Sequence, residues 1–332
     1  MRPDQPKVQN QSTKGDAVIM ELPAACANET AAVEFVEKQR WGDHPCCPRC
    51  GSLNVYKMLG RNGERQADYR WRCKDCASVK SKDQYTVRTG TVFEDSRIPM
   101  MHWCYGFWRA STSKKGVSAL EIHRHTGLSY KSSLFMLHRI RFAMNEEPTE
   151  QLSGDVEVDE VFIGGRTKFP NNVRPKRGFR KEKAIVVGLK QRGGNVRPRV
   201  VANVTGETLK QVIRDNVAPS ARIMTDNASG YRGIGAEFAG GHDSVNHSMF
   251  EYVRGDIHTN SIEGFFGMLR RGLDGIYHSV SKKHLHRYLA EFEFRHNHRE
   301  LKDGDRTVAA IRAANGKRLT YLEATQDGIS NS

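Results

Sequence analysis

No stretch of this 332-residue sequence approaches the ~18 uninterrupted apolar residues that a membrane-spanning helix needs, which excludes a transmembrane protein. A secretory signal is missing too: the chain is polar to Asp16, and the next apolar stretch, Ala17 to Cys26, is broken by Glu21 and Pro23. A cytosolic protein is expected. Cysteine is sparse, with seven residues, and in a reducing compartment that favours metal binding over a disulfide framework. Heptads, collagen triplets and solenoid repeats are absent, so separate globular units must carry the architecture. Acidic excess is absent as well. Lys and Arg number 52 against 38 Asp and Glu, and the net charge of +14 favours a polyanionic partner.

The length leaves room for two or three domains. A flexible leader is expected over 1–28, a cysteine-rich β module over 29–98 behind a short helix capped by Asn28, and a helical domain over 99–147. In the last, helices at Trp103 to Arg109, Ala119 to His123 and Tyr130 to Met144, with a turn at Gly127-Leu128-Ser129, resemble a helix-turn-helix. After a linker containing Pro148 the pattern changes to strand–helix alternation over 148–300, followed by a tail over 301–332. Strands are expected at Val156 to Ile163, Ala184 to Leu189, Arg199 to Val204 and Arg222 to Thr225, with a helix from Thr208 to Val217.

Cys47-Pro-Arg-Cys50-Gly and Cys73-Lys-Asp-Cys76 are two Cys-x-x-Cys knuckles at a spacing close to that of four-thiolate zinc sites. Each turn presents two thiolates, and two facing turns close a tetrahedron around one structural Zn²⁺. Two buried pairs or a redox dithiol are the other possibilities. Cys46 and His44 leave some choice of ligand, while Cys26 and Cys104 read as packed thiols.

Gly154-Asp-Val-Glu-Val-Asp159-Glu160-Val-Phe-Ile puts carboxylates inside an apolar strand, where an unpaired charge is costly. Alternation sets Asp155, Glu157 and Asp159 on one face and Val156, Val158, Glu160 and Phe162 on the other. Ala221-Arg-Ile-Met-Thr-Asp226 repeats the pattern of an apolar strand ending in an acid. A third oxygen-bearing element is the helix opening at His258-Thr-Asn260-Ser-Ile-Glu263, with Thr259 or a neighbour as N-cap. Three such groups suit Mg²⁺ (or Mn²⁺) and a two-metal attack on a phosphodiester.

Together these residues resemble an insertion-sequence transposase of the zinc-ribbon group in the DDE superfamily, over most of the chain after Glu34. Besides the knuckles, the resemblance rests on Thr89-Gly-Thr-Val-Phe-Glu-Asp-Ser-Arg-Ile-Pro99, Ser113-Lys-Lys-Gly-Val-Ser118, Val158-Asp159-Glu160 and Thr225-Asp226. It extends to His258-Thr-Asn-Ser-Ile-Glu263 and to Tyr277-His278-Ser-Val-Ser281. The resemblance implies an α/β, ribonuclease H-like catalytic domain, a mixed sheet with flanking helices, preceded by a zinc ribbon and a helix-turn-helix-like domain. Asp159 and Asp226 take the first two metal-binding positions. The third is variably Glu or Asn in this group; Glu263 is favoured for its charge, and Asn260 is the alternative.

Such an enzyme binds the inverted-repeat ends of its element, hydrolyses phosphodiester bonds with two divalent ions and joins the 3′ hydroxyls to target DNA. The implied partners are double-stranded DNA and further copies of the chain, as a homodimer or larger, because two ends must be held. The implied location is the bacterial cytoplasm, on the nucleoid when DNA-bound. A non-catalytic zinc-ribbon regulator and a nuclease or resolvase on the same fold are the competing functions.

Positive charge points to DNA contacts at three places. The loop after the first acidic strand carries Arg174, Lys176, Arg177, Arg180 and Lys181; the helix-turn-helix-like segment carries Lys131, Arg139 and Arg141; and Arg270 and Arg271 stand where the family often has a phosphate-binding lysine.

Overall fold

The computed structural model describes residues 16–77, 83–164, 183–246, 249, 251, 253–320 and 323. Contacts divide the chain into two units. One comprises the described residues of Met1–Thr112, Ala119–Met144 and His298–Ala324; the other includes Ser113–Ser118 and Asn145–Asn297.

The first unit begins with α1 (Ala17–Ala27) and α2 (Glu29–Trp41). Helix α1 lies inside the stretch expected to be a flexible leader. It folds because Leu22 and Ala25 are buried and the Asp16 carboxylate caps it through Ile19 N–H at 3.0 Å. Asn28 caps α2 as its sequence position predicts, accepting from Ala31 N–H at 3.0 Å. Strands β1 (Val55–Lys57), β2 (Trp71–Cys73) and β3 (Gln84–Tyr85) form an antiparallel sheet.

Next come α3 (Met100–Thr112), α4 (Ala119–Thr126) and α5 (Tyr130–Ala143). Gly127, at φ +71°, turns the chain between α4 and α5, and the Ser129 hydroxyl caps α5 through Ser132 N–H at 3.1 Å. Helix–turn–helix is thus the observed arrangement of α4 and α5.

In the second unit, β4 (Asp155–Ile163), β5 (Ala184–Gln191) and β6 (Val196–Val201) run antiparallel, and α6 (Gly206–Asn216) leads to β7 (Arg222–Asp226) and β8 (His242–Val245). The sheet order is β6-β5-β4-β7-β8, with β4, β7 and β8 parallel. This mixed sheet with helices on its faces is the ribonuclease H-like arrangement.

The third strand lies earlier than its expected Arg199 to Val204, because Val196 is buried and pairs with Lys190 while Val204 is exposed. Helices α7 (Asn260–Gly272) and α8 (Leu285–Asn297) follow. One face of the sheet buries Val156, Val158, Leu189 and Ile223 with Leu209 and Ile213 of α6. The other buries Val161 and Val186 with Ile262, Phe265 and Phe266 of α7 and Phe292 of α8.

The chain then returns to the first unit as α9 (Asp303–Arg312), within what the sequence suggests is a tail. Val308, Ala310 and Ile311 are buried, and Gly304 N–H donates to Asp16 at 2.8 Å. No helix among the described residues is long and apolar enough to cross a membrane.

Candidate active site and metal centre

The two cysteine knuckles face each other. The Sγ atoms of Cys47, Cys50, Cys73 and Cys76 all lie within 4.8 Å of one another, with Cys47–Cys76 at 4.0 Å and Cys50–Cys73 at 3.7 Å. Zn–S bonds of ~2.3 Å give a tetrahedral edge of about 3.8 Å, so the donor set and its size fit zinc. Gly51, at φ +75°, closes the first turn by donating its N–H to the Cys47 carbonyl at 2.8 Å. Asp75 bridges the knuckles, accepting from Ser52 Oγ at 2.5 Å and Asn54 Nδ2 at 3.0 Å.

All four positions are sulfur, so a zinc held there would have no open coordination position and would be structural. Cys46 and His44 stand outside the quartet. Cys104 is buried, and burial pushes the Cys26 thiol up to about 12 and the Cys104 thiol well above its ordinary range; both are packed thiols.

The acids of the second unit are built on two neighbouring strands. Parallel pairing sets Glu157 opposite Met224, where the ladder ends; the same register carried on by two residues would set Asp159 beside Asp226. Both belong by alternation to the face covered by α7. On the other side of Asp159, its partner across β5 is Gly188. A Cβ at Gly188 would lie 2.5 Å from Phe266 Cζ and 2.6 Å from Ile262 Cδ1, so the glycine lets α7 rest on the sheet beside Asp159.

Asp159 Oδ1 accepts from Glu160 N–H at 2.8 Å, and Asp226 Oδ1 accepts from Ala228 N–H at 3.1 Å. Glu160 points to the opposite face, where the buried Tyr231 hydroxyl donates to it at 2.6 Å. Burial, helped by the charges of Asp226 and Asp159, raises the Glu160 carboxyl to about 7 against the pull of the Tyr231 hydrogen bond.

Helix α7 starts above β4. Thr259 occupies the N-cap position but makes no capping bond; its hydroxyl donates to Glu263 Oε1 at 3.0 Å. The first free N–H groups go instead to Glu157, with Ser261 N–H at 2.8 Å and Ile262 N–H at 3.0 Å. Asn260 and Glu263 are exposed at this end, and Arg270 and Arg271 are exposed in the last turn. Among the described residues the cysteine quartet is the one cluster of ligand atoms so tightly gathered; Asp159, Asp226 and Glu263 do not form another by themselves. Their oxygen-only chemistry still suits Mg²⁺, which uses one or two carboxylates and completes its shell with water and phosphate.

The basic residues divide. Lys131 is exposed. Arg139 and Arg141 are 4% and 1% exposed, and Arg139 donates to the Val92 and Glu94 carbonyls at 2.8 Å each. The Arg139 bonds tie α5 to the chain at 92–94, and two guanidiniums this buried offer DNA little surface, contrary to the expectation for both. Arg174, Lys176, Arg177, Arg180 and Lys181 lie outside the described residues.

Glu157, Gly188 and Tyr231 have structural roles at the site that the sequence reading missed. A glycine inside an apolar strand is the usable signal for Gly188. Tyr231 has none, since its partner is remote in sequence.

The transposase zinc-ribbon domain profile matches residues 27–79, and that of the ISXO2-like transposase domain matches residues 151–297. An uncharacterized protein of the transposable element ISH50 from Halobacterium salinarum is 28% identical over 282 residues, covering 81% of this chain and 90% of the relative. An uncharacterized transposase-like protein of Haemophilus influenzae is 33% identical over 104 residues, 31% of this chain and 81% of that protein. No solved structure matches. Ribbon and acidic sheet therefore coincide with two domains of one DNA-processing family, and the chain belongs to the insertion-sequence transposases with an ISXO2-like transposase domain.

Proposed function

We propose that the protein cuts the ends of its own element and joins their 3′ hydroxyls to target DNA, using Asp159, Asp226 and a group at the start of α7 to hold two divalent ions. The observation that supports this best is the parallel pairing of β4 and β7 from Asp155–Arg222 to Glu157–Met224; continued for two more residues, it would bring Asp159 beside Asp226 on the face that α7 covers. When bound, Mg²⁺ or Mn²⁺ would supply an activated water and charge stabilisation at the phosphodiester. Glu263 is the favoured third ligand, since a carboxylate brings a full charge, and Asn260 is the alternative.

The chain's own residues do the rest. Asp159 and Asp226 project from neighbouring strands of a hydrogen-bonded sheet, so their separation is set before DNA arrives. Arg270 and Arg271 follow Glu263 on the same helix by about 10 Å of rise, which suits phosphates flanking the cut site. Lys131, and the segment holding Arg174, Lys176, Arg177, Arg180 and Lys181, would add sequence-independent affinity for double-stranded DNA. Two ends must be held for joining, so the acting species is a homodimer or larger, working in the cytoplasm on the nucleoid.

The test is incubation of the purified protein with labelled element-end DNA and Mg²⁺ or Mn²⁺. Strand-transfer products that disappear in Asp159→Asn and Asp226→Asn support the proposal. Cutting without joining would leave a nuclease, and DNA binding without either would leave a regulator; both outcomes overturn it. Glu263→Ala and Asn260→Ala then identify the third ligand by which one abolishes cleavage.

A further inference from the structure

The Glu157 carboxylate is fully buried, 0% exposed, two residues before Asp159 and on the same face of β4. Donors surround it. Oε2 accepts from Ser261 N–H at 2.8 Å and Ile262 N–H at 3.0 Å; Oε1 accepts from Ser261 Oγ at 3.0 Å and Arg192 Nε at 2.9 Å, and His258 Nδ1 lies 3.2 Å from it. Arg192 also donates to the His258 carbonyl at 3.1 Å, so one guanidinium holds both the carboxylate and the turn that enters α7.

Most helices cap their first N–H groups with the residue at their own N-cap. Here Thr259 has given that task up and a residue of the sheet has taken it over. The favourable interaction of a carboxylate with a helix N-terminus is retained, but the start of α7 is now referenced to β4 and not to its own preceding loop. A buried charge is a poor source of stability compared with an apolar side chain of similar size. What this one supplies is register, and the residues flanking the captured N–H groups are Asn260 and Glu263.

We propose that Glu157 is a positioning residue for the metal centre, fixing the height and rotation of the first turn of α7 so that Asn260 and Glu263 stand opposite Asp159 and Asp226; this rests on the functional reading above. Glu157 itself touches neither metal nor DNA. It acts by holding the third ligand where the first two already are.

The test uses the full-length, zinc-loaded protein with two substitutions. Glu157→Gln keeps the shape but replaces one acceptor oxygen by a donor among donors, and Ser261→Ala removes one bond without stranding a charge. Three quantities are read: hydrogen exchange of peptides spanning 257–266, Mn²⁺ affinity by electron paramagnetic resonance, and the Mg²⁺ concentration for half-maximal cleavage.

In E157Q, faster exchange confined to the start of α7 is expected, with Mn²⁺ affinity weakened by roughly 10–100-fold, the range seen when the partners of metal ligands are lost. The Mg²⁺ requirement should rise in parallel, with turnover partly restored at saturating Mg²⁺. Zinc content and end-DNA affinity should stay as in the wild type, and S261A should move the same way by a smaller factor. Wild-type Mn²⁺ affinity in E157Q despite a loosened α7 would reduce Glu157 to a structural role and overturn the proposal. If E157Q fails to fold, S261A decides, and unchanged Mn²⁺ affinity there overturns it equally. Wild-type protein that binds Mn²⁺ but cuts no DNA would sink the transposition reading while leaving this test in force. Mn²⁺ binding that is identical in wild type and Asp226→Asn would sink both.

Discussion

Asp159 and Gly188 face each other across β4 and β5, the acid and the residue without a side chain at the same height on the sheet. The pairing explains how a helix can sit beside a carboxylate in the middle of a packed face. Ile262 and Phe266 occupy the space that any other residue at 188 would fill.

Gly188→Ala should therefore lift α7 from the sheet. Overpacking of this kind costs about 1–3 kcal/mol, readable in urea unfolding. Metal-dependent cleavage should fall more than stability alone explains, because the displaced helix carries both candidates for the third ligand. Cleavage at the wild-type rate in a destabilised G188A protein would count against that.

Asp226→Asn removes a negative charge that faces DNA phosphate in the proposed complex. Cleavage should drop by more than the roughly 10–100-fold typical of outer-shell partners, while end-DNA affinity measured by gel shift stays equal or rises.

The ribbon should depend on its metal. Protein purified without chelator should carry zinc, and Cys73→Ser or chelation should release it and unfold the ribbon. Trp41 and Trp71 meet edge to face with centroids 5.6 Å apart, so loss of near-ultraviolet dichroism reports the event directly.

Glu160 predicts a pH dependence. Its folded-state pKa, about 7, lies above the ordinary ~4.3 of an unfolded glutamate, so the folded protein holds this proton more tightly. The stability it contributes is fully present below about pH 4.3 and is lost as pH rises through about 7. Without Mg²⁺, the wild-type protein should lose more stability than Glu160→Gln over that interval in denaturant titrations; equal slopes would remove the effect.

Lys131 and Arg139, two turns apart on α5, should behave oppositely. Lys131→Ala should weaken DNA binding and lower the slope of log affinity against log salt by about one. Arg139→Ala should leave that slope alone and cost about 1–3 kcal/mol of stability, since it strands the Val92 and Glu94 carbonyls.

Much of this molecule is legible in its sequence where the determinant is local. The knuckle spacing predicts the zinc cup, Asn28 predicts a helix start, and period-two alternation places Asp159 and Glu160 on opposite faces of β4. What escapes is what depends on partners far along the chain. Arg139 looks like a DNA contact until the carbonyls of Val92 and Glu94 are found beside it, and Glu157 looks like one more acid until the start of α7 arrives. Helix α1 is missed for a similar reason: the weak pattern of Ala17–Ala27 becomes a helix once its Leu22 and Ala25 are covered.

The return of the chain through α9 bears on how the protein is made. Asp16 caps its own helix and also receives Gly304 N–H, so a segment of the ribbon-bearing unit made before the second unit waits for one made after it. A ribosome releases the whole of 145–297 before it delivers that missing piece, because the second unit is spliced into the first. A nascent chain cut short anywhere in that interval would expose the unfinished bundle around Leu22, whose two halves meet only once α9 has been made.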